Sequence, residues 1–265
     1  MDVRKTYKLY LNGAFVRSES QRTYEAQGMN VPRSTRKDVR DAVRAARAAF
    51  AGWSGRTAMN RGQVLYRAAE MLDARSAEVG RLEGVERGEV AQSVEALLWY
   101  AGLTDKLAQL GGTVNPVAGP YFTFSMPEPT GVVGIVAPER PALLGLVAPL
   151  AAVLSGGSTA VALASPALPL PALVLGEVLA TSDLPAGAAN LLTGRHREML
   201  PTLAAHRDVN AVEVSGCDEE ERRKVEEAAA DSVTRVVATE PDQWLSPHTA
   251  LAFMEVKTVW HPVGR

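Results

Sequence analysis

The spacing of apolar and polar residues changes period along the chain, and each change marks an element. The run Gly131–Ala137 is continuously apolar and rich in β-branched residues, the pattern of a parallel strand covered on both faces. Pro138 and Pro141 cannot continue a hydrogen-bonded ladder and turn the chain. The segment Ala142–Leu154 then puts Leu144, Val147, Ala148 and Ala151 at helical spacing, with Gly156-Gly157 as its stop. An open α/β sheet places its ligand at strand–turn–helix units of this kind.

Upstream, Tyr7–Arg17 alternates around Asn12-Gly13, a pair suited to the positive φ angles of a two-residue hairpin turn. Ser34 or Thr35 caps the next helix, supported by Asp38, and Val39, Val43, Ala46, Phe50 and Trp53 share its inner face. A second helix is predicted from Asn60, with Gln63 completing the cap, through Met71 and Leu72. A third runs from Glu89 to Leu110, burying Val94, Leu97, Leu98 and Ala101 and stopping at Gly111-Gly112. Tyr121, Phe122 and Phe124 fall in an edge strand within Thr113–Pro127.

Five strands follow, at Val132–Ala137, Thr159–Leu163, Ala189–Leu192, Ala211–Val214 and Val233–Ala238. Helices lie between them near residues 142–154, 169–181, 196–205 and 218–230. This alternation predicts an α/β fold with a doubly wound, mainly parallel sheet. Thr239–His248 reads as a loop, and Phe253–Trp260 as a last strand.

Composition narrows the picture modestly. With 265 residues, 46% of them hydrophobic, the chain can bury a substantial core as one large domain with a small appendage. A net charge of −2 gives no electrostatic reason to expect nucleic acid or an acidic membrane. One cysteine excludes an internal disulfide framework and suits a reducing cytoplasm. No apolar run is long enough to span a bilayer, and the opening Met-Asp-Val-Arg-Lys-Thr-Tyr has no signal-peptide core. A cytoplasmic chain is expected.

The stretch Glu128-Pro-Thr-Gly-Val-Val-Gly-Ile-Val-Ala-Pro138 resembles the start of the nucleotide-binding domain in the aldehyde dehydrogenase superfamily. The Asn12-Gly13 hairpin, the alanine-rich helix ending in Phe50-x-x-Trp53, and Glu255-Val-Lys-Thr-Val259 resemble other parts of the same family. The pattern is most like the degenerate second unit of family-16 type members. The resemblance implies a Rossmann-like nucleotide-binding domain over residues 1–112 and 128–240. It implies a small oligomerisation β element over 113–127 and 249–265. It also implies that the catalytic domain, which should separate Ala238 from the last strand, is absent, with the loop Thr239–His248 in its place.

The family's chemistry needs a thiolate nucleophile, a carboxylate base, an oxyanion donor and NAD(P). By the resemblance, nucleophile and base belong to the missing region, so no residue here is expected to be catalytic. The oxyanion Asn of a Pro-Trp-Asn-x-Pro turn is met by Pro138-Glu-Arg-Pro141, with Arg140 near the Asn position. The ribose-binding Lys-Pro-x-Glu turn becomes Leu163-Ala-Ser-Pro166, without ammonium or carboxylate. The pyrophosphate site becomes Val214-Ser215-Gly216-Cys217, with Glu221 at a second glycine position. Asp218–Glu221 already answers that helix's dipole and repels phosphate. Arg140, Leu163, Pro166, Ser215 and Gly216 are thus degenerate cofactor positions. No cofactor is expected; NAD(P) is the one to look for.

Cys217 follows Ser215-Gly216 at a strand-to-helix junction, where the four carboxylates should raise its pKa by like-charge repulsion. His196, His206, His248 and His261 fit no zinc-ligand spacing and read as solvated or core residues. Gly131-x-x-Gly134 lacks the rest of a dinucleotide fingerprint. Three readings stay open: a non-catalytic subunit associating with a full-length aldehyde dehydrogenase, a residual nucleotide-binding module, and an oxidoreductase with an unrecognised site. Joint loss of nucleophile, base and ribose contacts favours the first. A homodimer through another surface competes with the hetero-oligomer.

Overall fold

The computed structural model describes residues 5–263, so the opening Met1–Arg4 and the last two positions lie outside the described residues. In chain order the strands and helices begin with the hairpins β1 (Leu9–Leu11) and β2 (Ala14–Val16), then β3 (Thr23–Ala26) and β4 (Met29–Pro32). Five helices follow: α1 (Arg36–Ser54), α2 (Ala58–Ala74), α3 (Ser76–Val79), α4 (Glu89–Leu103) and α5 (Leu107–Gly111). Next come β5 (Thr113–Asn115), β6 (Tyr121–Pro129), β7 (Val132–Val136), α6 (Leu144–Gly156), β8 (Thr159–Leu163), α7 (Leu170–Leu179) and β9 (Ala189–Leu192). The chain closes with α8 (His196–Ala204), β10 (Ala211–Glu213), α9 (Glu219–Ala230), β11 (Arg235–Val237), α10 (Pro247–Ala252) and β12 (Met254–Pro262).

Seven strands form the main sheet in the order β11-β10-β7-β8-β9-β1-β2, and the first five are parallel. The alternation along β7 shows why the sheet is wound on both sides. Val133 and Ile135 enter a core with α2, α4, α6 and α7, whereas Val132 and Val136 enter another with α1, α8 and α9. Gly134 belongs to the second face, where a Cβ would come within 2.9 Å of Leu203 Cδ2. The doubly wound α/β fold read from the sequence is therefore the observed one.

Local chemistry explains the elements. Thr35 is the cap of α1, and Asp38 completes a capping box by accepting from the Thr35 amide at 2.7 Å. Trp53 ties this helix to α6 by donating from Nε1 to the Leu154 carbonyl at 3.2 Å. Truncating such a fully buried Trp costs about 3–5 kcal/mol. Asn12 and Gly13 have φ of 51° and 73°, as the hairpin turn requires. Tertiary pairing then adds this hairpin to the main sheet, antiparallel to β9 through Tyr10 and Leu191.

Several boundaries differ from the sequence reading. Helix α2 starts at Ala58, because the Thr57 hydroxyl, rather than Asn60 with Gln63, accepts from the Asn60 amide. The predicted helix Glu89–Leu110 breaks after Leu103, where Thr104 Oγ1 and Lys106 Nζ bond the Ala101 and Gly102 carbonyls. Its inner face is Val90, Leu97 and Tyr100; Leu98 is exposed and Val94 only half-buried. Strand β11 starts at Arg235, because Val233 sits at φ 55° in a turn that no β-branched residue extends into a strand. Strands β7 and β10 stop one residue short of prediction, at Val136 and Glu213.

The aromatic stretch is not an edge strand. β6 lies at the centre of a separate three-stranded sheet, β12-β6-β5, because β12 pairs with it from Met254↔Pro129 to Pro262↔Tyr121. β12 and the short β5 are the edges. Among the described residues no helix is long and apolar enough to cross a membrane.

Candidate functional site

The order of the main sheet reverses at β7, with β8 and β9 on one side and β10 and β11 on the other. Crossovers leaving in opposite directions open a crevice at the carboxyl ends of β7 and β10. Its volume is about 320 Å³, and Pro138, Arg140, Ser215, Cys217, Thr239 and Trp244 are among its walls. Two of the degenerate positions, Arg140 and Ser215, thus meet in one place. Leu163 instead lies buried at the end of β8 in the α1-side core, and Pro166 sits in the turn beyond it. Gly216 serves packing: its amide donates to the Val136 carbonyl at 3.0 Å, and a Cβ there would stand 2.3 Å from Ala137.

The chain's own carboxylates occupy the helix starts around this crevice. At α6, buried Glu89 reaches from α4 and accepts from the Leu143 and Leu144 amides at 2.6 and 2.9 Å. At α9, Asp218 accepts from the Glu221 amide at 2.8 Å, and Glu221 accepts from the Asp218 amide at 3.4 Å. Both helix N-termini therefore already carry the negative charge that a phosphate would supply. Glu89 escaped the sequence reading, since a lone Glu opening a helix signals only a favourable dipole.

His196 links the two halves of the expected nucleotide groove. It is buried, with Nε2 3.1 Å from the Ala164 carbonyl and Nδ1 3.9 Å from Glu221 Oε2. Ala164 belongs to the turn where the resemblance puts ribose contacts, and Glu221 to the first turn of the pyrophosphate helix. The imidazole thus spans the path between them, and its burial holds the pKa below the ordinary histidine value despite Glu221. His206, His248 and His261 lie outside this cluster.

Glu213 is the other residue that sequence reasoning missed. Fully buried at the end of β10, it accepts from the Ser215 amide and hydroxyl at 3.1 and 2.9 Å and from the Thr239 amide at 3.3 Å. Burial pushes its carboxyl up to about 7, against those hydrogen bonds. The available signal was a carboxylate inside the apolar run Ala211–Val214. The Cys217 thiol is pushed up to about 12, first by its own burial and only then by Glu221, Glu213 and Asp218. This corrects the expectation that like charge leads. A thiol held protonated in this way is a poor nucleophile. Thr239 Oγ1 and Trp244 Nε1, both buried beside the crevice, have no hydrogen-bond partner.

A dinucleotide does not fit this donor set in the way the fold would hold one. The ribose turn has no charged side chain, His196 bridges the groove, and both helix starts are capped by carboxylates.

A parallel sheet with this switch point defines the nucleotide-binding-domain class of α/β protein. The aldehyde dehydrogenase family model matches residues 18–240, and the chain belongs to that family. It is 31% identical over 245 residues to the mitochondrial aldehyde dehydrogenase of Leishmania tarentolae, covering 86% of this chain and 49% of that one. Against the cytosolic 10-formyltetrahydrofolate dehydrogenase of Xenopus tropicalis the identity is 28%, covering 89% and 28%. The NAD+ complex of a Bacillus cereus aldehyde dehydrogenase superposes with a TM-score of 0.82 at 24% identity, over 88% of this chain and 50% of that one. The fold is thus that of the aldehyde dehydrogenases, but the chain spans about half their length or less.

Proposed function

We propose that this chain is a non-catalytic aldehyde dehydrogenase relative, a pseudoenzyme that acts as a structural or regulatory subunit beside an active, full-length family member. The observation that carries this reading is the three-stranded sheet. Tyr121, Val256 and Trp260 project from one face and Phe122, Phe124 and Met126 from the other, several of them between 41% and 68% exposed. Tyr121 and Trp260 meet edge to face with ring centroids 5.7 Å apart. Exposed aromatic and aliphatic side chains on both faces, with a nine-residue edge strand, invite a partner.

In the family such a sheet extends the catalytic-domain sheet of a neighbouring subunit. The region between Ala238 and β12 is here a loop and the short helix α10, so the described residues of two copies offer each other no such acceptor. A full-length family member has one, and strand addition along β12 is the proposed contact. The cytoplasm is the compartment that a lone cysteine suits.

Co-expression with a full-length aldehyde dehydrogenase, followed by size-exclusion chromatography, tests the reading. One joint peak that splits when Trp260→Asp is introduced is expected. Separate elution, or a homodimer that survives Trp260→Asp, would overturn it.

A second reading, residual ligand binding at the crevice, is supported by the unpartnered Thr239 hydroxyl and Trp244 indole. Titration calorimetry with NAD distinguishes the two. Low-micromolar binding, about −8 kcal/mol, would favour the second.

A further inference from the structure

A cleft of about 500 Å³ lies at the edge of the main sheet remote from the crevice, between the β1–β2 and β3–β4 hairpins. Lys8, Arg17 and Arg22 line it. Their side chains make no hydrogen bond or ion pair within the described residues. Lys8 and Arg17 immediately flank the Leu9↔Val16 pair, which brings two like charges to the open end of the hairpin. Opposed like charges are unfavourable unless something neutralises them.

The backbone at Arg22 is fixed by hydrogen bonds. Its carbonyl accepts from the Ser18 hydroxyl at 3.1 Å and from the Arg33 amide at 2.9 Å. Between them Gln21, at φ 56°, closes a turn by donating its amide to the Ser18 carbonyl at 2.8 Å. The fourth cation of the cleft, Lys5, is already paired with Glu177 at 2.8 Å. Among the described residues Glu25 is the only carboxylate in the lining, so Lys8, Arg17 and Arg22 against it leave an excess of two positive charges there.

We infer that this cleft binds a small organic anion carrying two or more negative charges, a diphosphate-bearing metabolite in particular. The two guanidinium forks match phosphate oxygens, and Lys8 adds a point charge. The volume suits a small molecule, and the concave shape and overall acidity of the chain disfavour a nucleic acid backbone. The inference stands apart from the subunit reading, since it uses none of the residues of the three-stranded sheet.

The test is titration calorimetry with inorganic pyrophosphate at constant ionic strength, which keeps general screening fixed. Saturable one-to-one binding is expected, weakened at least tenfold in Arg17→Gln/Arg22→Gln and several-fold in Lys8→Gln. Arg223→Gln, whose side chain pairs with Glu227 on α9, should bind like the parent. All four positions are at or near the surface, so ligand-free melting temperatures should agree. No saturable binding, equal affinity in the double variant, or an equal loss in Arg223→Gln would each overturn the inference.

Discussion

The crevice and the three-stranded sheet handle unsatisfied groups in opposite ways. Around the crevice, Glu89, Asp218, Glu221 and His196 satisfy helix starts and a turn carbonyl from within the chain. On the β12-β6-β5 sheet, aromatic and aliphatic side chains stand exposed and a long edge has no neighbouring strand among the described residues. The first region answers its polar groups internally, and the second leaves apolar side chains and an edge strand exposed. Side chains can answer a helix start locally, because a carboxylate does so as well as a phosphate. They cannot complete a sheet, because an edge is satisfied only by another strand.

That contrast is open to measurement, and the largest effect should come from the crevice. Glu89→Ala strips acceptors from three buried or part-buried backbone amides, those of Leu143, Leu144 and Glu86. We expect a loss of about 3 kcal/mol or more in urea unfolding. A loss under about 1 kcal/mol would mean that the helix start of α6 is satisfied some other way.

Glu213 gives a pH signature. Its folded pKa is raised from 4.5 to about 7, so the fold prefers the protonated form. The corresponding stability is full at acid pH and is lost as pH rises through 7. Glu213→Gln should melt like the parent near pH 5 and be more stable by up to about 3 kcal/mol at pH 8. Parallel melting curves at both pH values would show that Glu213 ionises freely in the fold.

Reopening the groove is the next step down. His196→Ala/Glu221→Gly removes the imidazole bridge and one cap, and should strengthen NAD binding at least tenfold, about 1.4 kcal/mol. Calorimetry with unchanged heats in the double variant would place the obstruction elsewhere, in the uncharged turn Leu163–Pro166. The smallest stability effect belongs to the open sheet. Trp260→Ala should change urea stability by no more than about 0.5 kcal/mol while abolishing co-elution with a full-length partner. A large loss of stability would mark the ring as part of this chain's own core.

Elements whose cause is local were legible before any coordinates. The β-branched run of β7, the Asn12-Gly13 turn, the Thr35–Asp38 box and the acidic start of α9 depend on residues within one or two turns of each other. They emerged within a residue or two of expectation. That the turn Leu163–Pro166 carries no charged side chain was legible for a similar reason, since a turn's side chains are named by its sequence. What the tertiary structure alone decided are the pairings across long separations. These include the hairpin joined to β9, β6 made central by β12, Glu89 reaching α6, and His196 set between Ala164 and Glu221. No periodicity encodes such partners, because the free energy that selects them comes from burial and hydrogen bonding shared by segments that meet only once the chain is folded.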